Sequence, residues 1–440
     1  MPDELRSRIA HLYRRAGFGA RPDELDAAVA AGYEATVDKL LDLGSPDGAT
    51  ASLPAPTFTP PLLAAQLPAD EQARRQAQQA EQRTQRDEGR RLSMWWVDRM
   101  VLSTTPLRER LALFWHGHFA TSVQKVKEPE LMYRQNEIFR FQGNGNFEAM
   151  AQNVAKDPAM LVWLDAAENK KGRPNENFAR ELFELFMLGI GNYSENDIKE
   201  AARAFTGWQY RRQNGAFAIT PALHDNDTKT VFGQSGNFGG EDIVRMAAAQ
   251  PASAPFVTAK LWSSFARPAG TDDPVVRQLA PAFAKDLDVG KLMRAIFLHP
   301  EFVAPASRTG LVKQPIEYVA GTLRALNLRA ASAGTNLPQT LDALGQQPFA
   351  PPSVGGWPQN GYWLTTSFAL TRLRFASTVA GKAKLDAITS VPAADRPAAV
   401  ARLLSVDGWG PSTSAGLAKV AGDPKSLLTV ALVAPEYVLA

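Results

Sequence analysis

The sequence contains no cysteine among its 440 residues. That absence excludes disulfide bonds, thiolate zinc sites and a cysteine nucleophile. Any metal site must therefore be built from histidine and carboxylate side chains, and the chain has only five histidines. Proteins without disulfides occur in both reducing and oxidising compartments, so the missing cysteines do not indicate a location.

Long apolar runs are also missing. The most apolar stretch, LLTVALVAPEYVLA at 427–440, is interrupted by Pro435 and Glu436 and is too short to cross about 30 Å of hydrocarbon. We therefore predict no membrane span. The first residues, MPDELRSRIAHLYRRAGFG, include acidic side chains and lack the apolar core of a signal peptide. We expect a cytoplasmic location for the chain as written, and an extracytoplasmic one if an export signal has been removed or a partner carries it.

The sequence has no large excess of either charge, because its 48 Lys and Arg residues nearly balance its 45 Asp and Glu residues and leave a net charge of +3. A nucleic-acid-binding protein gathers its basic residues on one face with aromatic residues between them. Here nearly every basic cluster has acidic neighbours, so we predict no nucleic-acid binding.

The chain also lacks a nucleophile elbow, a phosphate-binding loop and an HExxH string, which excludes the enzyme classes that these motifs mark.

Helical periodicity and helix-end signals dominate what is present, and they predict a mainly α-helical, multi-helix globular body. We divide it into an N-terminal helical hairpin (1–44), a proline-rich loop (45–69), a long helix that turns from polar to apolar (70–102), a helical core (103–375) and C-terminal helices packed on the same body (376–440). Strand character is confined to 209–240, where 217–219 and 229–232 flank a turn and predict one small β-hairpin near 215–233.

The helix at 176–190 is apolar around almost its whole circumference, which predicts burial. Asn177, Glu181 and Glu184 stand four and three residues apart, so they form one polar stripe, with Arg180 beside it. A carboxylate in a dry interior costs several kcal/mol unless it is paired or binds a ligand. The stripe therefore predicts either a buried ion-pair network through Arg180 or Arg203, or a functional cleft or metal site.

Two further segments carry histidines. In FWHGHF, residues two apart on a continuous helix point about 200° from each other, so His116 and His118 can share an ion only if the helix ends near Gly117. The alternative for His118 is a core histidine with a satisfied hydrogen bond. In LHDNDTK, His224 and Asp225 precede a turn and Lys229 follows; the alternative is that the two aspartates only build the turn.

Six segments in the same order resemble a bacterial family known as domain of unknown function 1800: HLYRRAGFGA, RERLALFWHGHFATS, NENFARELFELFMLGIGNYSENDIKEAARAFTGW, LHDNDTKTVFGQSGNF, LVKQPIEYVAGTLRAL and PPSVGGWPQNGYWL. The resemblance runs from about residue 9 to 375. It implies a partner encoded nearby that looks like the phosphatase and sulfatase superfamily, at the cell envelope. It implies no catalytic residues. The Gln- and Arg-rich helix at 70–91 departs from the common pattern.

Our first functional hypothesis is a metal-assisted hydrolase. Its ligands to a divalent metal ion would be His116, His118, Glu181 and His224, because imidazole and carboxylate groups are the ligands left to a cysteine-free chain. Glu184 or Asp225 would act as general base or support the ligands. Asn177, Arg180, Arg203 and Lys229 would form the polar cluster around them.

The second hypothesis is a non-catalytic accessory protein that acts with the phosphatase- or sulfatase-like neighbour. Its recognition surface for a partner or glycan would be the aromatic residues Trp357, Tyr362 and Trp363, because exposed tryptophans are frequent anchors at interfaces. The alternative is that these rings cover the core from a Pro- and Gly-rich loop.

Overall fold

Local helix signals determine most of this fold, and the mainly helical prediction is confirmed. The computed structural model describes residues 2–334 and 336–439. The first half of the chain forms α1 (Pro2–Ala16), α2 (Pro22–Ala31), α3 (Tyr33–Leu41), α4 (Gly48–Ala51), α5 (Glu71–Leu102), α6 (Pro106–His118), α7 (Val123–Val126), α8 (Pro129–Gln142), α9 (Phe147–Ala155), α10 (Pro158–Trp163), α11 (Asn177–Glu181) and α12 (Glu195–Ala204). A π-helical segment, Leu182–Met187, continues α11.

The second half of the described chain forms α13 (Gly240–Ala248), α14 (Ser253–Phe265), α15 (Pro274–Phe283), α16 (Val289–Leu298), α17 (Pro305–Arg308), α18 (Pro315–Ala325), α19 (Leu337–Ala343), α20 (Thr366–Ala380), α21 (Asp386–Thr389), α22 (Arg396–Leu403), α23 (Pro411–Val420), α24 (Pro424–Val433) and α25 (Pro435–Val438). Short 3₁₀ helices occupy Ala64–Gln66, Ala166–Glu168, Pro221–Leu223, Pro300–Phe302, Ala330–Ser332, Asn360–Trp363 and Ala393–Asp395.

The strands lie where the sequence predicts them, but their pairing differs from the single hairpin expected. β1 (Trp208–Arg211) pairs antiparallel with β2 (Ala216–Ile219), and β3 (Lys229–Val231) pairs with β4 (Gln234–Gly236). Each predicted strand therefore turns back onto its immediate neighbour in sequence. The long segment between residues 219 and 229 does not act as a hairpin turn, because its side chains are held by α12 and by their own backbone, as described below.

Helix ends follow the capping signals closely. Thr105 precedes α6 with Pro106 in the first turn, and Ser194 forms the capping box with Asp197 at the start of α12. Gly189 and Gly207 have positive φ angles of 82° and 80° near helix ends, where glycine meets no Cβ penalty.

One continuous set of buried apolar side chains extends from Ile9 to Val438 and joins the helices into a common core. α6 lies in it almost completely buried, with α8, α5, α1 and α3 as neighbours. Among the helices described, none combines the length and the apolar character needed to cross a membrane. The core therefore fixes α6 as the rigid element from which the site below is built.

Candidate functional site

The acidic stripe of the central helix is not buried, contrary to expectation. The π-helical segment turns Phe183 and Phe186 inward, while Glu181 and Glu184 stay half-buried and Ile190 is 79% exposed. Burial, together with the neighbouring Glu184 charge, raises the pKa of Glu181. Glu184 accepts a hydrogen bond from the Tyr193 hydroxyl at 2.9 Å. Water reaches this face, so the acids need no arginine partner.

The two arginines proposed as partners of the stripe neutralise other acids. Arg180 lies 2.8 Å from Glu195 and 3.2 Å from Glu176. Arg203 lies 2.8 Å from Glu200 and 2.9 Å from Asp225. The predicted buried network through the stripe is therefore wrong. Asn177 also has a structural contact, because its amide donates to the Leu164 carbonyl at 3.2 Å.

The HDND segment forms a tightly bonded turn. Its Asp225 carboxylate accepts from the Asp227 backbone N–H at 2.9 Å, which is the Asx turn of the simpler interpretation. The hydrogen bond from Arg203 holds the pKa of Asp225 at about 2. Lys229 is fully buried and donates to the Asp225 and Asp227 carbonyls at 2.6 and 3.0 Å. His224 Nδ1 contacts the Thr206 carbonyl at 2.8 Å.

His116 and His118 lie on one uninterrupted helix, because α6 continues through Gly117 to His118. Their rings consequently point to different surroundings. His116 lies among Trp96, Phe349 and Trp357, with ring centroids 5.3–5.6 Å away. His118 is hydrogen-bonded through Nε2 to the Phe186 carbonyl at 2.8 Å.

The predicted metal site is not assembled in this geometry. Across residues 2–334 and 336–439, no three His, Asp or Glu side chains are grouped so that they could hold an ion. The physical reason is the continuous α6 helix, which separates His116 from His118, together with the backbone and arginine contacts that hold His224 and Asp225.

The aromatic loop forms a wall of the core, and most of the predicted recognition surface is buried. Trp363 is 0% exposed and Trp357 is 8% exposed, whereas Tyr362 is 55% exposed. The loop crosses α6 backbone to backbone: a Cβ on Gly356 would lie 2.2 Å from the Gly117 carbonyl oxygen. Gly356 has a φ of 84°, so only glycine fits this crossing without strain. Trp357 is thereby laid against Gly117.

This crossing closes one side of a cleft of about 440 Å³. α6 and α14 form two of its walls, and the loop at 354–359 and Gln314 form the others. Phe114, Phe256 and Trp357 supply flat apolar surface. Of the residues predicted for a site, His118 and Trp357 line this cleft.

The cleft walls carry positive charge. Lys260 and Arg110 line it, and no carboxylate is among its described lining residues. Lys260 keeps an exposed side chain at the cleft, yet desolvation lowers its pKa. Arg110 is buried, and its Nη2 donates to the Ser264 carbonyl at 3.0 Å and pairs with Glu317 at 2.6 Å. Its Nε and Nη1 have no hydrogen-bond partner among the described residues.

More cations lie behind Arg110. Burial lowers the pKa of Arg15 to about 9, and Glu317 opposes that shift while Arg14 and Arg110 add to it. Burial also lowers the pKa of Lys313; Arg14 adds to that shift and Glu317 opposes it. Glu317, which pairs with Arg110 at 2.6 Å, is the acid that opposes the lowering of the pKa of Arg15, Arg110 and Lys313. The positive potential therefore extends from the cleft into the core.

Sequence reasoning missed Lys260, Arg110 and Gln314. Lys260 stands in an ordinary helical stretch, SAPFVTAKLWSSF, with no motif around it. A signal did exist for the others: Arg110, Gln314 and Trp357 lie in three of the segments that carry the family resemblance. Taken together, those segments point to one place on the molecule.

The family comparison agrees with that resemblance and extends it toward the C-terminus. The family described as "Protein of unknown function (DUF1800)" matches residues 11–439, nearly the whole chain. The chain belongs to this family. No curated protein and no solved structure matches it. The DUF1800 match therefore establishes kinship, and the site has to be argued from its own geometry.

Proposed function

We propose that this DUF1800 protein binds a small anionic ligand in the cleft between α6 and α14. The observation that carries the proposal is the charge of the lining, which includes Lys260 and Arg110 and, within the described walls, no Asp or Glu. A cleft with one sign of charge and low-dielectric walls concentrates ligands of the opposite sign.

The body of the ligand is expected to be flat and apolar. Phe114, Phe256 and Trp357 line the cleft, and Lys260 lies 5.3 Å from the centroid of the Phe256 ring. An anionic group can approach Lys260 while an attached ring packs on the aromatic walls. Ligand sites generally combine such an apolar lining with a few placed polar groups.

Anion binding bears on both earlier hypotheses. Metal-assisted hydrolysis gains no geometric support, because its four proposed ligands do not form a group. The accessory hypothesis is compatible with an anion-binding cleft, because phosphate and sulfate groups are themselves anionic. That partner remains a prediction from the family resemblance.

Calorimetric titration tests the proposal with benzoate and phenyl phosphate as probes and neutral benzamide as their matched control. We expect the two anions to bind and benzamide to show no measurable heat. Raising the salt concentration should weaken the anions, because screening shortens the reach of the exposed Lys260 charge. Failure of both anions to bind at low salt would overturn the proposal.

The matched variants are Lys260→Met in the cleft and Lys419→Met on the exposed side of α23. Methionine keeps the length of lysine and removes its charge. We expect Lys260→Met to weaken benzoate about tenfold, equivalent to about 1.4 kcal/mol, and Lys419→Met to leave it unchanged. Equal effects of the two variants would show that net charge, and not the cleft, attracts the anion.

A further inference from the structure

The hydrogen bond of His118 fixes which ring nitrogen carries its proton. The π-helical segment ends at Met187, and the last carbonyls of a helix have no partner within it. One of these, the Phe186 carbonyl, lies 2.8 Å from His118 Nε2. A carbonyl oxygen only accepts hydrogen bonds, so Nε2 must hold the proton. In the neutral ring, Nδ1 is then an acceptor.

The accepting nitrogen is available at the cleft. His118 lines the cleft, no described residue bonds its Nδ1, and Nδ1 is not among the sealed polar atoms without partners. The ring is held in place by Phe114, which stacks on it at 5.8 Å between centroids. A rigid, correctly protonated acceptor is the type of group that orients a ligand.

His118 and Lys260 share one neighbour. The Phe256 ring lies 6.3 Å from the His118 ring and 5.3 Å from Lys260 Nζ. A compound built on a single ring can therefore meet the lysine with one substituent and the histidine with another. Since Lys260 only donates and Nδ1 only accepts, the two substituents must differ in chemistry.

We propose that the cleft selects small anions that also carry a hydroxyl or N–H donor, with His118 Nδ1 accepting from the donor while Lys260 neutralises the anion. This selectivity rests on the anion binding proposed above. His118 is the specificity-determining residue in this scheme, and it acts through a hydrogen bond in the bound state.

The test compares benzoate with 3-hydroxybenzoate and 4-hydroxybenzoate, which share its charge and ring and differ in one donor. A hydrogen bond is worth about 0.5–1.5 kcal/mol net, so we expect one hydroxy isomer to bind about three- to tenfold more tightly than benzoate. His118→Phe should abolish that preference, so that benzoate and both hydroxybenzoates bind this variant with equal affinity. His118→Gln, which retains a donor and an acceptor, should restore part of it.

The outcomes separate the two proposals. If no anion binds the wild-type protein, the anion-binding cleft itself is wrong. If benzoate and both hydroxybenzoates bind equally, or if the preference survives in His118→Phe, the cleft stands and the role of His118 is overturned. NMR of the histidine ring nitrogens tests the inference on the wild-type protein, so it does not depend on a variant that might pack differently. The chain has five histidines, and one Nδ1 resonance should shift with the preferred hydroxybenzoate and not with benzoate. An unchanged spectrum would also overturn the inference.

Discussion

Glu109 and Arg110 are consecutive on α6 and both are buried, but only Glu109 has all its hydrogen-bonding groups paired. The Glu109 carboxylate accepts hydrogen bonds from Trp96 at 3.0 Å and from Arg99 and Arg140 at 2.8 Å. Arg110 has one acid, Glu317, and two nitrogens without partners among the described residues. The fully hydrogen-bonded cluster around Glu109 is structural, whereas the incompletely bonded Arg110 lies at the cleft.

The difference matters because a buried charged group whose hydrogen-bonding positions are all occupied cannot form a further hydrogen bond to a ligand. Burial alone would raise the pKa of Glu109, but Arg140 and Arg99 outweigh burial and hold the pKa below its usual value. Burial lowers the pKa of Arg110, and Glu317 opposes that shift. The unpartnered nitrogens of Arg110 are sealed from solvent, so the exposed Lys260 is the cation that an anion in the cleft would contact first.

Glu109→Gln should have the largest effect on stability. The change leaves Arg140, which is also fully buried, without its main counter-charge. Removing one partner of a buried pair costs about 3–5 kcal/mol, and urea denaturation should show a loss of that size in the free energy of unfolding. The matched control is Glu137→Gln, which faces the same Arg140 from a position 28% exposed and should cost less than about 1 kcal/mol.

The same pair predicts a pH dependence. Because folding lowers the pKa of Glu109 below 4.5, the ionised carboxylate stabilises the native state at neutral pH. That stabilisation is lost as the pH falls from 4.5 through the lowered pKa. The Glu109→Gln protein should consequently lose less stability than the wild type over this acidic range, and parallel curves would contradict the assignment.

Gly356→Ala should have the next largest effect on stability. It disturbs the loop that forms one wall of the cleft, and not the ion pairs around Glu109. The new Cβ would collide with the Gly117 carbonyl, and the φ of 84° would be strained for alanine. We expect a loss of about 1–3 kcal/mol together with weaker benzoate binding. Gly361→Ala is the control in the same loop, because a Cβ there meets nothing within 4 Å; a similar loss in both variants would argue against a special crossing.

The parts of the fold that the sequence predicts are those with local causes. Ser194 and Asp197 mark a helix start through hydrogen bonds within one turn of chain. Pro106 marks another through its fixed φ angle, because Thr105 makes no side-chain capping bond. The pairing of the strands depends on long-range contacts, such as the hydrogen bond from the Phe232 N–H to Asp197 at 2.7 Å. No periodicity in 209–240 contains that information.

The site was harder to predict for the same reason. Lys260 and His118 are 142 positions apart in the sequence. Only the packing of α14 beside the cleft places both side chains next to the Phe256 ring. The π-helical segment had no sequence signature, yet it places the Phe186 carbonyl that orients His118. The sequence indicated His116 and His118 as metal ligands, and the structure places only His118 at the cleft.

The two histidines of α6 allow the finest form of the comparison. His118 has its Nε2 satisfied by Phe186, whereas both ring nitrogens of His116 are sealed without partners among the described residues. His118→Phe leaves a carbonyl unpaired and should cost about 1–2 kcal/mol at neutral pH. His116→Phe removes two unsatisfied polar atoms and should change the free energy of unfolding by less than about 1 kcal/mol.

Acid titration distinguishes His116→Phe from a silent substitution. Burial lowers the pKa of His116 from 6.5 to about 3, so the unfolded chain takes up a proton that the native ring refuses. Native stability must then fall as the pH drops from 6.5 toward 3, by up to about 1.4 kcal/mol per pH unit for this one group. His116→Phe should remove that contribution, and its stability should decline less steeply than that of the wild type in urea titrations at pH 6.5, 5.5 and 4.5. An identical decline would mean that His116 exchanges protons freely in the native state and that its aromatic surroundings admit water.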